Sequence, residues 1–205
     1  MQDFPATTAL IAINLAVFVW MIFSGGNLMR FAGQLLVNSG GNYGPLTLSG
    51  DYWRLVTAGF VHGGIIHIGI NMWCLWSLGQ LSERLFGSWI TFAVYLLTGV
   101  AGSMLSLAWE PTRLEVGASG AVFGIAGAIL SGIKFGSVAV SSQQKKSIFS
   151  SLLFFVVFSL VFGNMSPGVD NMCHFGGLVA GVIFGVPLAT ASASGKKPFE
   201  WATIV

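Results

Sequence analysis

Charge is what this sequence has least of. Only 8% of its 205 residues are Asp, Glu, Lys or Arg, where a water-soluble domain carries about 25%. So few charges cannot cover a surface that faces water, which excludes a soluble globular enzyme. The net charge of +2 is too small to hold a nucleic acid. Cysteine is nearly absent: Cys74 and Cys173 both sit in apolar runs, at a spacing that makes neither a disulfide framework nor a metal site. His62, His67 and His174 lack a His-Glu-x-x-His pattern, and Glu83 falls toward the opposite membrane face, so no metal and no cofactor is expected. The start, Met1 to Pro5, has no basic n-region of a cleaved signal peptide, so the first apolar run is expected to stay as an anchor. Neither a long polar extension nor an inverted repeat of the transporter kind is visible.

Apolar residues are what the chain has in abundance, 54% of the total, with a mean hydropathy of +0.80. The expected fold is therefore an all-α membrane protein, one domain over 1–205. A span needs about 20 mostly apolar residues, and six runs approach this: 7–23, 64–81, 89–109, 118–134, 148–162 and 171–188. A long segment, Ser24 to Gly63, separates the first two, and segments of that length are often functional. Its second half, Asp51 to Val56, mixes aromatics with charge as interfacial segments do. Ser82 to Ser88 is expected to turn the chain, and a polar connector ending in Lys145-Lys146 precedes a fifth span that reads as short and rich in phenylalanine. With the termini inside, the inner side holds Arg84, Lys134, Lys145, Lys146, Lys196 and Lys197, and the outer side only Arg30, Arg54 and Arg113. The positive-inside rule then puts both termini in the cytoplasm.

Polar side chains within spans are costly and usually face the bundle interior. Here they gather near the outer ends of three spans. His67 and Asn71 are four apart and share a helix face. Ser119 opens the fourth span within Gly117-Ala118-Ser119-Gly120, and His174 lies in the first turn of the sixth. A serine hydroxyl attacks only when a base takes its proton, and neutral imidazole is such a base near physiological pH. The oxyanion of an attacked carbonyl needs fixed donors. A helix start leaves N–H groups unpaired, so the Ser119 amide joins the His67 and Asn71 side chains as candidates.

Each feature has a plainer reading. A serine between glycines is more often a packing notch, a span asparagine more often an interhelical hydrogen bond, and a lone histidine more often structural. The soluble-hydrolase elbow Gly-x-Ser-x-Gly is not present. What favours chemistry is the arrival of all four groups at one depth. Gly177 and Gly181 have the small-xxx-small spacing of close helix contact and match the small face of Gly120, Gly124 and Gly127, which would bring Ser119 to His174. Tight packing without chemistry would use the same glycines.

With these residues in order, the chain resembles the rhomboid intramembrane serine proteases over nearly its whole length. The matching pieces are Trp53-Arg54, then His62 with His67 and Asn71, then Gly79, Glu83 and Gly87, then Gly117-Ala118-Ser119-Gly120, and last His174 with Gly177 and Gly181. The resemblance implies a six-helix bundle with a Ser–His dyad and no third acid. It implies Ser119 as nucleophile, His174 as base, and His67, Asn71 and the Ser119 N–H as oxyanion donors. Trp53, Arg54, His62 and Glu83 are implied as structural support. The implied partners are transmembrane protein substrates and membrane lipids, and the absence of targeting extensions is compatible with a bacterial inner membrane. Two positions depart from the common pattern. Phe123 stands where some members have tyrosine, so its ring can still stack on His174 but brings no hydroxyl, and Cys173 stands where alanine is frequent. With neither a seventh span nor a sizeable soluble domain, the minimal form is expected. The alternative reading is a catalytically silent relative that binds transmembrane helices.

Overall fold

The computed structural model describes residues 3–136, 140–165 and 168–193. Lys196, Lys197 and Pro167 lie outside the described residues. The long helices are α1 (Pro5–Phe23), α5 (Ile65–Phe86), α6 (Ser88–Trp109), α7 (Ser119–Phe135), α8 (Ser142–Met165) and α9 (Asn171–Ala193). Between α1 and α5 come α2 (Gly33–Asn38), strand β1 (Asn42–Tyr43), α3 (Gly44–Thr47), α4 (Arg54–Thr57) and a 3-10 turn, Ala58–Phe60. Strand β2 (Leu114–Glu115) precedes α7.

By length and composition α1, α6, α8 and α9 can each cross a membrane, and α5 joins them if it is taken with the α4 segment, from which it is bent by 94°. α7, with 17 residues, is shorter. Trp89 and Trp109 bracket α6, both exposed. Their spacing along the helix is about 30 Å at 1.5 Å per residue, the thickness of the hydrocarbon core, and tryptophan favours that boundary. This is a multi-pass integral membrane protein.

α7 is the centre of the bundle. Every residue from Gly120 to Ile133 is buried, and the helix packs most extensively against α9 and then α6. Glycine makes this possible. A Cβ on Gly177 would strike the carbonyl oxygen of Gly120, and one on Gly181 that of Gly124. The two backbones therefore touch directly, the close approach that small residues permit.

Two expectations are corrected. Ser82 to Ser88 is not a turn: α5 continues to Phe86, and the reversal narrows to Gly87 with φ 90°. The polar residues there read as a loop but have buried partners instead. Ser82 bonds Thr91 at 2.8 Å, and Glu83 accepts from the Thr7 amide at 2.7 Å and the Thr7 hydroxyl at 2.6 Å. The fifth helix is also not short, running 24 residues from Ser142. A capping box starts it early: the Ser141 amide donates to Gln144 Oε1 at 3.0 Å, and the Gln144 amide donates to Ser141 Oγ at 3.2 Å.

The long first segment is ordered by Arg54. Its guanidinium donates to Val37 O at 2.6 Å, Gly41 O at 3.1 Å and Asp51 at 3.0 Å, and lies 4.4 Å over the Trp53 ring. The antiparallel β1–β2 pair, Asn42 opposite Glu115 and Tyr43 opposite Leu114, ties this segment to the stretch that leads into α7.

Candidate functional site

Gly117 has φ 118°, a left-handed conformation that suits glycine, and it swings the chain into α7. Its amide donates to Ala58 O at 2.9 Å. The next amide, of Ala118, donates to His62 Nε2 at 3.4 Å, while His62 Nδ1 lies 3.3 Å from Phe60 O. An acceptor at Nε2 and a donor at Nδ1 fix one neutral tautomer. Burial first, then neighbouring His67, lower the His62 pKa to about 3. His62 thus acts as a strut that holds the turn before Ser119.

His67 and Asn71 rise from the N-terminal end of α5 on one face. His67 Nδ1 accepts from the Gly63 amide at 3.1 Å, which leaves the proton of the neutral ring on Nε2. That Nε2 lies 2.7 Å from where a Gly117 Cβ would stand, and Asn71 Nδ2 lies 3.9 Å from the same point. The pair therefore aims donors at the turn that carries Ser119, and only glycine leaves room for them. Asn71 also donates to His67 O at 2.9 Å, one turn back along its own helix.

His174 is buried in the first turn of α9 and stacks on Phe123, with centroids 4.4 Å apart and planes at 6°. Its Nδ1 is buried without a hydrogen-bond partner. Among the described residues no hydrogen bond joins Ser119 to His174. The turn is held by Asp170, whose Oδ1 accepts from the amides of Met172 at 3.1 Å and Cys173 at 3.0 Å. Oδ2 of Asp170 takes the Ser106 hydroxyl and faces Arg113 Nε at 3.8 Å.

The structure thus gathers Ser119, His174, His67, Asn71, His62, Gly117, Gly120, Phe123 and Gly177 around the N-terminal ends of α5, α7 and α9, with Gly181 one turn further along α9 against Gly124. Trp53 and Arg54 belong to the first segment, and Glu83 to the opposite end of α5. Asp170 and Glu115 were not singled out in the sequence. Asp170 carried a signal, an N-cap residue directly before an apolar run. Glu115 carried none beyond its place in a charged stretch. A cavity of about 390 Å³ opens beside this region, between α6 and the α8–α9 loop, lined by Trp109, Glu110, Arg113, Asn164 and Asp170 but not by Ser119 or His174. Among the described residues no group of three His, Cys, Asp or Glu is placed to hold a metal ion.

The chain is 33% identical over 195 residues to the rhomboid protease GluP of Bacillus subtilis (93% of this chain, 36% of that protein). It is 37% identical over 150 residues to the mitochondrial RHOMBOID-like protein 6 of Arabidopsis thaliana (73% and 48%). It is 27% identical over 201 residues to the rhomboid protease AarA of Providencia stuartii (88% and 71%). The chain spans between a third and a half of the length of the first two. The Rhomboid domain family matches residues 49–191, a stretch that contains every side chain of the site described above. The chain belongs to the rhomboid family.

Proposed function

We propose that this protein is an intramembrane serine protease that hydrolyses peptide bonds in or near transmembrane segments of other proteins. The observation that carries the reading is the convergence of His67 Nε2 and Asn71 Nδ2 on Gly117, two residues before the serine that opens α7. Two proton-bearing side chains aimed at a helix N-terminus form a receptacle for negative charge.

The steps follow from the groups. Ser119 Oγ attacks the carbonyl carbon of the scissile bond while His174 takes its proton. His174 Nδ1 is sealed in the protein, so Nε2 is the nitrogen that receives it. The carbonyl oxygen becomes an oxyanion held by the Ser119 amide, His67 Nε2–H and Asn71 Nδ2–H. Collapse breaks the C–N bond, and His174 returns the proton to the leaving amine. Water, activated by the same imidazole, then hydrolyses the acyl-serine ester. Apo dyads often sit looser than hydrogen-bond reach and tighten on substrate, in keeping with the missing Ser119–His174 bond. Stacking on Phe123 holds the ring for that approach. The sequence's lysine and arginine distribution supports cytoplasmic termini, with the site toward the outer face.

The second reading, a silent member that binds transmembrane helices, draws support from that same missing bond. Cleavage of a model transmembrane substrate by the wild type and by Ser119→Ala separates the two. Turnover in the wild type and none in the variant is the expected result. Absent turnover together with absent labelling of Ser119 by a fluorophosphonate would leave the silent reading standing.

A further inference from the structure

The first turn of α9, which carries His174, hangs on α6 more than on α8. Its backbone lies directly against α6: a Cβ on Gly102 would stand 2.7 Å from Cys173 O, and one on Gly176 would stand 2.9 Å from Ala101 O. The Cys173 thiol, on the same turn, meets Glu115 Oε1 of β2 at 3.6 Å. α9 packs far more extensively on α6 than on α8. Toward α8 the turn sends Asn171 Nδ2, which donates to Leu160 O at 2.9 Å. Among the described residues the His174 ring makes no hydrogen bond of its own. Apart from its stacking on Phe123, the ring is therefore placed by the turn beneath it.

One side chain gathers the fastenings of that turn. Three successive amides end on Asp170. Met172 and Cys173 donate to Oδ1 at 3.1 Å and 3.0 Å, and His174 donates to the backbone carbonyl at 3.2 Å. The first two are amides that a helix start leaves unpaired, so Oδ1 serves as the cap. Oδ2 is turned the other way. It accepts the hydroxyl of Ser106, in the last turn of α6, and faces Arg113 Nε at 3.8 Å. Arg113 belongs to the connection from α6 to β2, and it also donates to Val169 O at 2.8 Å and to Glu110 Oε2 at 3.3 Å. Capping alone asks for one acceptor, which asparagine or serine supplies as well. The second oxygen and the charge go to α6 and to Arg113.

We propose that Asp170 is a positioning residue for His174: with one oxygen it caps the turn that carries the base, and with the other it fastens that turn to Ser106 and Arg113, so that the base is fixed to α6 and not to α8. The inference rests on the protease reading, in which His174 must keep its place beside Ser119 as substrate enters. α7 packs on α6 as well. The serine and the histidine thus take their positions from one shared helix, and a displacement of α8 leaves their spacing alone.

The test removes the fastening and keeps the cap. The double variant Ser106→Ala with Arg113→Gln is compared with the wild type and with Asp170→Ala in detergent. Cleavage of a model transmembrane substrate by the double variant should lose up to about 10²-fold in kcat, as when a catalytic group is displaced by about 1 Å, with KM little changed. Carrying the same two substitutions into Asp170→Ala should lower kcat no further, because they act through that side chain. A second readout follows the ring itself and needs no turnover. The chain has three histidines, and in protein carrying isotope-labelled histidine the His174 resonance is the one missing from His174→Gln. In the wild type it carries the shielding of the Phe123 face. In the double variant it should move toward the position of a free imidazole or broaden, while the His62 and His67 resonances stay. Wild-type kcat in the double variant, an unmoved His174 resonance, or full additivity with Asp170→Ala overturns the proposal. If the wild type cleaves nothing, the ring resonance still decides the role of Asp170, and the missing turnover counts against the protease reading alone.

Discussion

Asn71 shows how much one side chain can be asked to decide. Its amide donates to His67 O within its own helix, so truncation breaks no bond between helices. If it also donates to the oxyanion, its contribution belongs to the transition state and hardly to bound substrate. Asn71→Ala should therefore lower kcat by about 10²–10³ with KM little changed and melting temperature nearly unmoved. Paired kinetic and melting measurements on one preparation check this, and near wild-type kcat would remove Asn71 from the site. Ser119→Ala should leave no measurable turnover. These residues were legible in the sequence because each has a chemistry that a membrane interior rarely tolerates without purpose. The partner of His62 was not readable, since the Ala118 amide it meets lies 56 residues away. Glu115 was invisible for the same reason: only the β1–β2 pairing and the approach of Cys173 give it a setting.

At the scale of the helix, the α7–α9 contact is the most constrained surface. Gly181 lies against the Gly124 carbonyl, and backbone cannot turn aside as a side chain can. Gly181→Val should force the helices apart at a cost of about 1–3 kcal/mol, visible in thermal melting, with cleavage lost along with the spacing of the dyad. The sequence announced this contact through glycine spacing alone. It was less clear about helix ends, because polar residues at Ser82–Glu83 and Ser142–Gln144 look the same in a loop as in a helix whose polar groups are satisfied. α8 carries a ladder of Phe154, Phe158 and Phe162, stacked at 5.8 Å and 5.9 Å and more than half exposed. Its inward ring, Phe155, meets Phe123 at 5.5 Å. If α8 is the mobile side through which substrate enters, Phe158→Ala should leave the melting temperature unchanged and raise or preserve cleavage of membrane-embedded substrates. A strong loss of cleavage at unchanged stability would count against entry there.

Across the whole molecule, buried polar clasps tie α1 into the bundle. Glu83 grips the start of α1 through Thr7 and Ala6, and Asn14 of α1 meets the Tyr95 hydroxyl of α6 at 3.1 Å. Glu83 stands about 24 Å along α5 from His67 at 1.5 Å per residue. Glu83→Ala should then cost about 1.5–3 kcal/mol, as charge-assisted bonds do, and leave Thr7 buried without its acceptor. A lower melting temperature with turnover intact in the surviving folded protein is the expected pair of readings.

The 17 residues of α7 reach only about 25 Å at 1.5 Å per residue, against about 30 Å of hydrocarbon. A lipid-facing helix of that length would suffer hydrophobic mismatch, with the bilayer thinning or the helix flanks stretching to compensate. α7 is enclosed by protein over nearly its whole length, so its neighbours set the position of the bilayer while it remains recessed among them. If the recess falls at its N-terminal end, the serine sits at a fixed depth below the interface, like a mark on a ruler whose scale is α6. Under the proposed chemistry, a thicker bilayer would carry a different residue of the same substrate to that mark, and the cleavage position would move with lipid chain length while the enzyme stayed the same.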